Sequence, residues 1–298
     1  MNQPLVSIII PTRNAAKLLY SCLESIKRQT YLRIEIIVAD NYSVDETRDI
    51  ARNFNAKVIL VGPKPPYNDF FTAPIQRRVG ATHASGEFLF FIDADMILTS
   101  GLIKECVEKC FEGADAVTIP EISFGEGFWS KCKVIERSCY LGDSEMEAPR
   151  FIKRSAYELV GGWRDDIGAL DDWYLKVKLE LGGFKIVHAK HCLFHNEGSL
   201  TLKRLFRKKF SMGKGTKLSR YITVSVKDPK KIVYQLTPFR LLKILKRASG
   251  LTNNPLELLG LIIMKIIEGV AFQLGSFLNF MYSVSKNLLL KSSSALRF

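Results

Sequence analysis

Between residues 6 and 119, short apolar runs alternate with segments whose apolar residues recur at helical spacing. The runs are rich in Ile, Val and Phe, which is typical of buried strands, and the segments between them are long enough for amphipathic helices. This alternation predicts an α/β fold with a mostly parallel central sheet and right-handed crossovers. The predicted strands are 6–10, 34–39, 57–61, 88–92 and 116–119, and the predicted helices are 15–28, 44–53, 73–84 and 101–111.

Two carboxylates directly follow the predicted strand 88–92, in the sequence Asp93-Ala94-Asp95. In open α/β sheets, ligands bind beyond the carboxyl ends of the strands, and side chains two positions apart on an extended backbone point the same way. The two charges repel unless a hard divalent cation relieves them, which favours a Mg²⁺ or Mn²⁺ site for a phosphate-bearing substrate. The alternative is a loop in which these acids cap the next helix.

Polar residues follow other predicted strands as well. Pro11-Thr12-Arg13-Asn14 comes after the first strand, Asp40-Asn41 and Asp45 come after the second, and Arg77-Arg78 lies on the helix before strand 88–92. Each group alone fits turns, helix caps or solvated arginines. At successive strand ends they together favour a nucleotide site whose diphosphate meets the arginines. No GxGxxG and no Walker lysine loop follows the first strand, so neither a dinucleotide site nor a P-loop is predicted.

Four segments resemble the family 2 glycosyltransferases, which have the nucleotide-sugar-binding GT-A fold. They are VSIIIPTRN at the start, VADNYSVDET after the second strand, FLFFIDAD at the acidic pair, and GGWRDDIGALDDWYLKVKLELGGFKI further on. The resemblance covers roughly residues 5–200. It implies an inverting, metal-dependent transferase with a UDP- or GDP-sugar as its donor.

The resemblance also assigns roles to residues by position. The last segment matches the family's Gly-Gly-aromatic stretch and acidic pair, which makes Asp172 the catalytic base, with Asp171 before it. Asp95, together with Asp93, becomes the ligand of Mn²⁺ or Mg²⁺. His195 lies where related enzymes often place a residue near the metal, with a structural histidine as the alternative. By resemblance or by their place at a strand end, the residues expected to bind the nucleotide sugar are Pro11, Thr12, Arg13, Asp40, Asp45, Arg77, Asp93 and Ala94. The residues expected at the acceptor or a phosphate are Trp163, Arg204 and Arg207.

The chemistry of Asp172 agrees with the role of base. Displacement at an anomeric carbon needs a group that removes the acceptor proton during attack. An Asp at a helix N-terminus stays ionised near neutral pH, because the helix dipole and its N–H groups favour the anion. The alternative is that Asp171 and Asp172 only cap the helix 173–181. The pair in the family is usually Glu-Asp, so Asp171 could share the role.

The positive charge of the chain is concentrated after the predicted catalytic part. The net charge is +13, and the segment 203–247 contains fifteen Lys and Arg but a single acid, Asp228. Because the most apolar stretch of the chain follows, an anionic membrane surface suits this block better than nucleic acid does. Within it, Arg204-Leu205-Phe206-Arg207 is followed by Lys208, where processive synthases of the family carry tryptophan. A single transfer is therefore predicted.

The tail 255–286 combines a broad apolar face with a narrow polar stripe at the helical period. Its uncharged stretch, 269–285, is shorter than the roughly 20 residues of a spanning helix. We therefore expect amphipathic helices in the membrane interface, or a hairpin dipping into it. Packing on the catalytic domain, or a homodimer interface, is the alternative. The chain divides into a GT-A catalytic domain (1–202), a basic juxtamembrane segment (203–254) and C-terminal membrane-associated helices (255–298).

Six cysteines without CxxC pairing, and an N-terminus without the layout of a signal peptide, indicate a reduced cytosolic domain. The sequence thus predicts a glycosyltransferase at the cytoplasmic face of the membrane, moving one sugar to a lipid-linked or surface-glycan acceptor. One alternative is a nucleotidyltransferase on the same fold, but such enzymes carry a Gly-rich signature and residues 6–14 contain no glycine. The other is a basic nucleic-acid- or membrane-binding protein without catalysis, which would bind nucleic acid with steep salt dependence.

Overall fold

A seven-stranded sheet forms the centre of the protein in the computed structural model, which describes residues 3–62, 72–143, 146–164, 171–215 and 238–295. Its strands are β1 (Val6–Thr12), β2 (Ile34–Asp40), β3 (Lys57–Leu60), β4 (Phe88–Phe91), β6 (Ala116–Thr118), β8 (Pro149–Lys153) and β9 (Ile186–His188). They lie in the order β3-β2-β1-β4-β8-β6-β9. The five strands predicted from the apolar runs are all present, and the expected fold class is confirmed.

Most neighbours in this sheet are parallel. β1 pairs in parallel with β2 and β4, β2 with β3, and β6 with β9, whereas β8 is antiparallel to both β4 and β6. The side chains of successive residues in each strand point to opposite faces of the sheet, and each face has its own hydrophobic core. Ile8 and Phe90 pack on one face of the sheet, and Ile9 and Phe91 pack on the other. Because both faces are covered, the central strands β1 and β4 consist largely of apolar residues.

Helices cover both faces of the sheet and extend the chain beyond it. Their bounds are α1 (Ala16–Lys27), α2 (Thr47–Asn53), α3 (Ala73–Thr82), α4 (Leu102–Phe111), α5 (Phe128–Ser138), α6 (Arg154–Leu159), α7 (Asp171–Leu181), α8 (Leu202–Gly215), α9 (Pro238–Ala248) and α10 (Pro255–Ala295). α2 begins three residues later than predicted. Ser43 does not cap it, because both its N–H and its hydroxyl bond to Asp40 instead. Residues 62–71 are rich in proline, which predicts a loop, and they lie outside the described residues from position 63 onward.

A second sheet, not predicted from the sequence, lies beside the end of β4. It consists of β5 (Met96–Leu98), β7 (Glu121–Glu126) and β10 (Leu193–Ser199), with β10 in the middle. His195 on β10 pairs with Met96, and the N–H of Asn196 donates to the carbonyl of Asp95 at 2.9 Å. This pairing brings His195 to the acidic residues that follow β4.

The C-terminal helices pack on α5 and build a third hydrophobic core. Its buried residues come from α5, α8, α9 and α10 and include Cys132, Leu205, Ile244, Leu261 and Met264. α8 and α10 approach each other closely through two glycines. A Cβ on Gly213 would collide with the backbone of Phe272, and a Cβ on Gly275 would collide with the backbone of Phe210.

The tail forms one continuous helix, α10, whereas the sequence analysis expected several amphipathic helices or a helical hairpin. By length and composition alone, the part of α10 from Pro255 to Met281 is apolar enough to cross a membrane. All six cysteines are free thiols. Burial raises the pKa of Cys110 to about 12 and that of Cys139 to about 11, so these thiols stay protonated at neutral pH.

Candidate active site

A cleft of about 550 Å³ opens at the carboxyl ends of β1 and β4. Its walls come from the loops after these strands and from α3, α7, α8 and β10. Ten residues singled out in the sequence line it together: Pro11, Thr12, Arg13, Arg77, Asp93, Ala94, Asp95, Asp172, His195 and Arg204. The strand-end residues and Asp172 of α7 therefore meet at one place, although they are far apart in the chain.

Arg77 holds two of the predicted carboxylates side by side. Its Nη2 lies 2.7 Å from Asp93 Oδ1, and its Nη1 lies 3.3 Å from Asp172 Oδ1. The guanidinium is almost fully buried and lies over the ring of Trp163, 5.1 Å from its centre. Burial favours protonation of Asp93, but Arg77 and then Arg150 outweigh it and hold the pKa of that carboxyl below its usual range.

Arg150 on β8 approaches Asp93 from the other side. Its Nη2 lies 3.7 Å from Asp93 Oδ2, and its Nε donates to Glu121 Oε1 at 2.5 Å. Burial of Glu121 is likewise outweighed by Arg150, so its pKa is lowered and it stays ionised. Neither residue was predicted from the sequence, because neither β7 nor β8 was expected.

His195 lies between two carboxylates. Its Nε2 is 3.4 Å from Asp95 Oδ2 and its Nδ1 is 3.4 Å from Glu121 Oε2. Burial opposes protonation of the ring, but the interactions with Asp95 and Glu121 prevail and raise the pKa of His195 to about 9. In the absence of a cation the imidazole is therefore charged at neutral pH, and a metal ion would have to displace its proton.

The residues at Asp95 fit a cation that is shared with a substrate. Within the described residues, no group of three or more His, Cys, Asp and Glu could hold a metal ion by itself. Asp95 Oδ1 is nevertheless buried without a hydrogen-bond partner in the described part of the chain. Mg²⁺ is commonly held by one or two carboxylates together with substrate phosphates, and Asp95 with His195 offers this kind of partial ligand set.

Two predicted nucleotide residues lie behind or beside the cleft. Asp40 is fully buried and accepts hydrogen bonds from Thr12 Oγ1, at 3.0 Å, and from Ser43. Asp45 accepts from the N–H groups of Ala16 and Thr47, both at 3.1 Å, and so joins the start of α1 to that of α2. Both carboxylates hold the loops that carry Thr12 and Arg13.

The remaining predicted residues are placed differently. The backbone of Asp171 starts α7, and its side chain lies outside the described part of the structure. Trp163 is buried beneath Arg77, and Arg207 is exposed on α8 away from the described lining of the cleft. Lys208 of α8 and Arg137 of α5 also line the cleft, although no role at the site was predicted for either from the sequence. The sequence could have indicated Lys208 by its spacing, because it follows Arg204 by four residues and therefore lies on the same face of the helix.

Comparison with known proteins identifies the fold and the family. The family model described as "Glycosyl transferase family 2" matches residues 7–162, more than half of the chain. The Pyrobaculum calidifontis mannosyltransferase PcManGT, solved in complex with GDP-Man and Mn²⁺, superposes with a TM-score of 0.55 over 97% of this chain and 88% of its own, at 18% identity. S. aureus TarS 1-349, solved with UDP-GlcNAc, gives a TM-score of 0.53 over 91% and 90% of the two chains, at 15% identity. At these identities the likeness establishes the fold.

A curated relative gives a closer sequence match over a shorter region. The GalNAc(5)-diNAcBac-PP-undecaprenol beta-1,3-glucosyltransferase of Campylobacter jejuni is 33% identical over 110 residues, which is 37% of this chain and 36% of that protein. The match therefore spans about a third of this relative. Taken with the family model and the fold, these results confirm the resemblance found in the sequence: the chain belongs to glycosyl transferase family 2.

Proposed function

We propose that the protein is an inverting, metal-dependent glycosyltransferase that moves a single sugar from a UDP- or GDP-sugar to a lipid-linked or surface-glycan acceptor. The observation that carries the proposal is the convergence of Asp95, His195, Arg77 and Asp172 on one cleft. Solved proteins of the same fold bind GDP-Man with Mn²⁺, or UDP-GlcNAc. The cleft combines cations for a diphosphate, a carboxylate for a metal and a second carboxylate for an acceptor hydroxyl.

The donor diphosphate would bind between the β1 loop and α8. Arg13, Arg204 and Lys208 line this part of the cleft. Cationic side chains stabilise phosphate oxygens by charge-assisted hydrogen bonds. Asp95 and His195 would hold a Mn²⁺ or Mg²⁺ ion against the same oxygens, and such a cation takes up negative charge that develops on the leaving diphosphate.

Asp172 would act as the base. Its carboxylate accepts the proton of the acceptor hydroxyl while that oxygen attacks the anomeric carbon, and the bond to the nucleoside diphosphate breaks. Asp172 is half-exposed in the cleft and belongs to the first turn of α7, where helix N–H groups stabilise the anion. Arg77 pairs with both Asp172 and Asp93. A single carboxylate base beside the donor cleft supports the proposal of one displacement with inversion.

A membrane surface would hold the enzyme near its acceptor. The faces of α10 are placed opposite to those of a surface helix in a soluble protein, with charged residues turned toward the protein and apolar residues turned outward. Its charged residues Lys265 and Glu268 face inward, where they form ion pairs with Glu136 and Lys133 of α5, both at 2.8 Å. Its outward face is apolar and exposed, with Leu256, Leu259, Ile266, Val270, Leu274, Phe277, Leu278, Phe280 and Met281. Charge inside and large apolar residues outside is the arrangement expected where the surrounding solvent is lipid.

The charge of the neighbouring helices suits the anionic cytoplasmic leaflet. Besides Arg204 and Lys208, which line the cleft, the first half of α8 carries the exposed cations Lys203 and Arg207. Basic residues near an anionic bilayer contribute about 1 kcal/mol each to binding. The protein would therefore lie on the cytoplasmic face as a peripheral or monotopic enzyme.

Thermal unfolding with a set of nucleotide sugars, with and without Mn²⁺, tests the proposed reaction. A donor at 100 times its Kd adds about 2.7 kcal/mol of stability, so a UDP- or GDP-sugar should raise the unfolding temperature only when Mn²⁺ is present. Stabilisation by the free nucleoside triphosphates alone, with no response to any nucleotide sugar, would contradict the proposal.

A further inference from the structure

α8 presents different residues to the cleft and to the C-terminal helix. Arg204 and Lys208, which lie about one helical turn apart, line the cleft. Leu205 is buried in the third hydrophobic core, and Gly213 lies against the backbone of α10. The rotation of α8 about its axis therefore decides whether the two cations point into the cleft.

α10 holds α8 through a contact between the two backbones. Among the described elements, α10 is the main packing partner of α8. A Cβ on Gly275 would collide with the carbonyl oxygen of Phe210, and Ser276 Oγ donates a hydrogen bond to the carbonyl oxygen of Gly213 at 3.3 Å. Helices whose backbones touch have no flexible side chains between them that could absorb a displacement. A shift of α10 is therefore passed on to α8.

An ion pair joins the two helices at a second point. Lys209 Nζ lies 3.9 Å from Glu268 Oε1. Glu268 is itself held in place, because Lys133 of α5 approaches the same carboxylate at 2.8 Å and Lys265 approaches it at 2.7 Å. Lys209 precedes Gly213 by about one helical turn. Two contacts on one side of α8 restrain its rotation as well as its position along α10.

We propose that α10 positions the cations that receive the donor diphosphate, with Gly275 and Lys209 as positioning residues that act through α8. Neither residue is among those that line the cleft, so their effect reaches the donor by way of Arg204 and Lys208. The inference rests on the proposed function and gives the C-terminal helix a part in donor binding besides attachment to lipid. A donor that meets misplaced cations loses affinity at its phosphates and keeps its contacts at the nucleoside.

Binding of UDP and uridine, and of GDP and guanosine, to the full-length protein in detergent tests the inference by ligand-observed NMR with Mn²⁺ present. Gly275→Ala should raise the Kd of the diphosphate about tenfold or more, since one hydrogen bond to a charged group is worth about that factor. The Kd of the nucleoside should stay unchanged, because the nucleoside carries no phosphate for α8 to bind. Gly269→Ala is the control in the same helix and should change neither constant.

Val107→Ala separates positioning from a general loss of stability. Val107 of α4 is buried in the core on one face of the central sheet, which is a different core from that of α8. Its truncation leaves a cavity and destabilises the fold. The Kd of both ligands should nevertheless stay unchanged at a temperature where every variant is folded.

Lys209→Met tests the same inference if Gly275→Ala does not fold. It removes the ion pair to α10, while Glu268 keeps Lys133 and Lys265 as partners. The Kd of UDP or GDP should rise severalfold, with no change for the nucleoside. Lys246→Met removes an exposed cation from α9 and controls for the loss of one positive charge, so it should change neither constant.

The outcomes that would overturn the inference differ from those that would overturn the function. Equal weakening of diphosphate and nucleoside by Gly275→Ala and Lys209→Met, or no weakening of either ligand, would mean that α10 does not position the cations. Rises in Val107→Ala or Lys246→Met that equal those of their matched variants would mean the same. A wild-type protein that binds no nucleoside diphosphate and no nucleotide sugar would overturn the proposed function itself.

Discussion

Arg77 and Asp172 form an ion pair, Nη1 to Oδ1 at 3.3 Å, across 95 positions of the chain. The same guanidinium binds Asp93 at 2.7 Å and is buried against Trp163. One side chain thus fixes the distance between the residue proposed to take the acceptor proton and the residues proposed to meet the donor. A substitution at Asp172 that keeps the contact to Arg77 should therefore leave the donor side of the cleft in place.

Asp172→Asn should abolish most of the transfer while donor binding survives. The amide keeps the shape and a contact to Arg77 but cannot take up a proton, and general-base catalysis typically contributes 10²–10⁴-fold. Release of nucleoside diphosphate in the presence of acceptor measures the rate, and thermal shift with donor and Mn²⁺ measures binding. A larger loss in Asp171→Asn than in Asp172→Asn would move the base by one position.

Asp95→Asn should remove the dependence of donor binding on Mn²⁺ and abolish transfer. An amide oxygen is a weaker ligand for a hard cation than a carboxylate, and the substitution replaces one of the two Asp95 oxygens by an NH2 group, which cannot bind a cation. Asp95 Oδ1 has no hydrogen-bond partner among the described residues and is the oxygen available to the ion. Isothermal titration of Mn²⁺ in the presence of nucleoside diphosphate measures the effect. Full turnover by this variant with EDTA present would disprove the metal-dependent reaction.

Leu259→Glu combined with Leu274→Glu should release the protein from lipid vesicles that contain phosphatidylglycerol. Both residues are exposed on the outward face of α10. Burial of a Leu side chain is worth about 1.5–3 kcal/mol, so each change should weaken binding by roughly tenfold or more.

The matched control is Leu159→Glu, which places the same charge on an exposed leucine of α6. It should leave vesicle binding unchanged. If the wild type does not bind vesicles and the double variant instead converts a dimer to a monomer, the outward face of α10 is a subunit interface.

Gly275→Ala should destabilise the protein by about 1–3 kcal/mol, because the added methyl group forces α10 away from α8. Gly269→Ala in the same helix is the control, since a Cβ there meets no atom within 4 Å. It should be neutral or stabilising by about 0.5–1 kcal/mol, because alanine favours the helix over glycine. Denaturant unfolding in detergent compares the two, and equal effects would mean that the close approach of the helices does not matter.

The free energy of unfolding should fall as the pH rises from about 4.5 to about 7, in part because of Glu147. Burial raises the pKa of Glu147 to about 7 in the folded protein, and its ordinary value of 4.5 applies in the unfolded chain. The folded state therefore binds the proton more tightly than the unfolded state does. The stabilisation is complete below pH 4.5 and is lost as the pH passes 7. Glu147→Gln cannot ionise and should show a flatter pH profile of stability. If the free energy of unfolding changes equally with pH in the variant and in the wild type, the ionisation of Glu147 does not contribute to the pH dependence.

The meeting of the strand-end residues at one edge of the sheet could be predicted because these residues follow apolar runs. Asp93 and Asp95 come directly after a run that could only be a buried strand, and Thr12 and Asp40 follow two more such runs. The order of these strands then brings the residues to one edge of the sheet. Local patterns and the rule for strand ends were sufficient here.

The partners of these residues could not be predicted in the same way. Glu121 lies on β7, which pairs with the distant strand β10, and Arg150 lies on β8, which is antiparallel to β4. Both pairings join parts of the chain separated by many residues. No periodicity marks such pairing. The tail presents a related problem, since the helical period of α10 separates its polar and apolar faces but does not determine which face turns toward the protein.

The inward charges of α10 affect how the protein can be prepared. A chain cut before Pro255 would remove Lys265 and Glu268 from their ion pairs with Glu136 and Lys133, and would expose the core around Cys132 and Leu205 to water. The loss of buried apolar side chains such as Leu261 and Met264 costs about 1.5–3 kcal/mol each, which is a large part of the 5–15 kcal/mol that holds an ordinary domain together. Removing the helix to gain solubility would therefore produce an aggregate in place of a soluble enzyme. Expression of the whole chain, followed by extraction into detergent or nanodiscs, is the preparation that keeps the cleft intact.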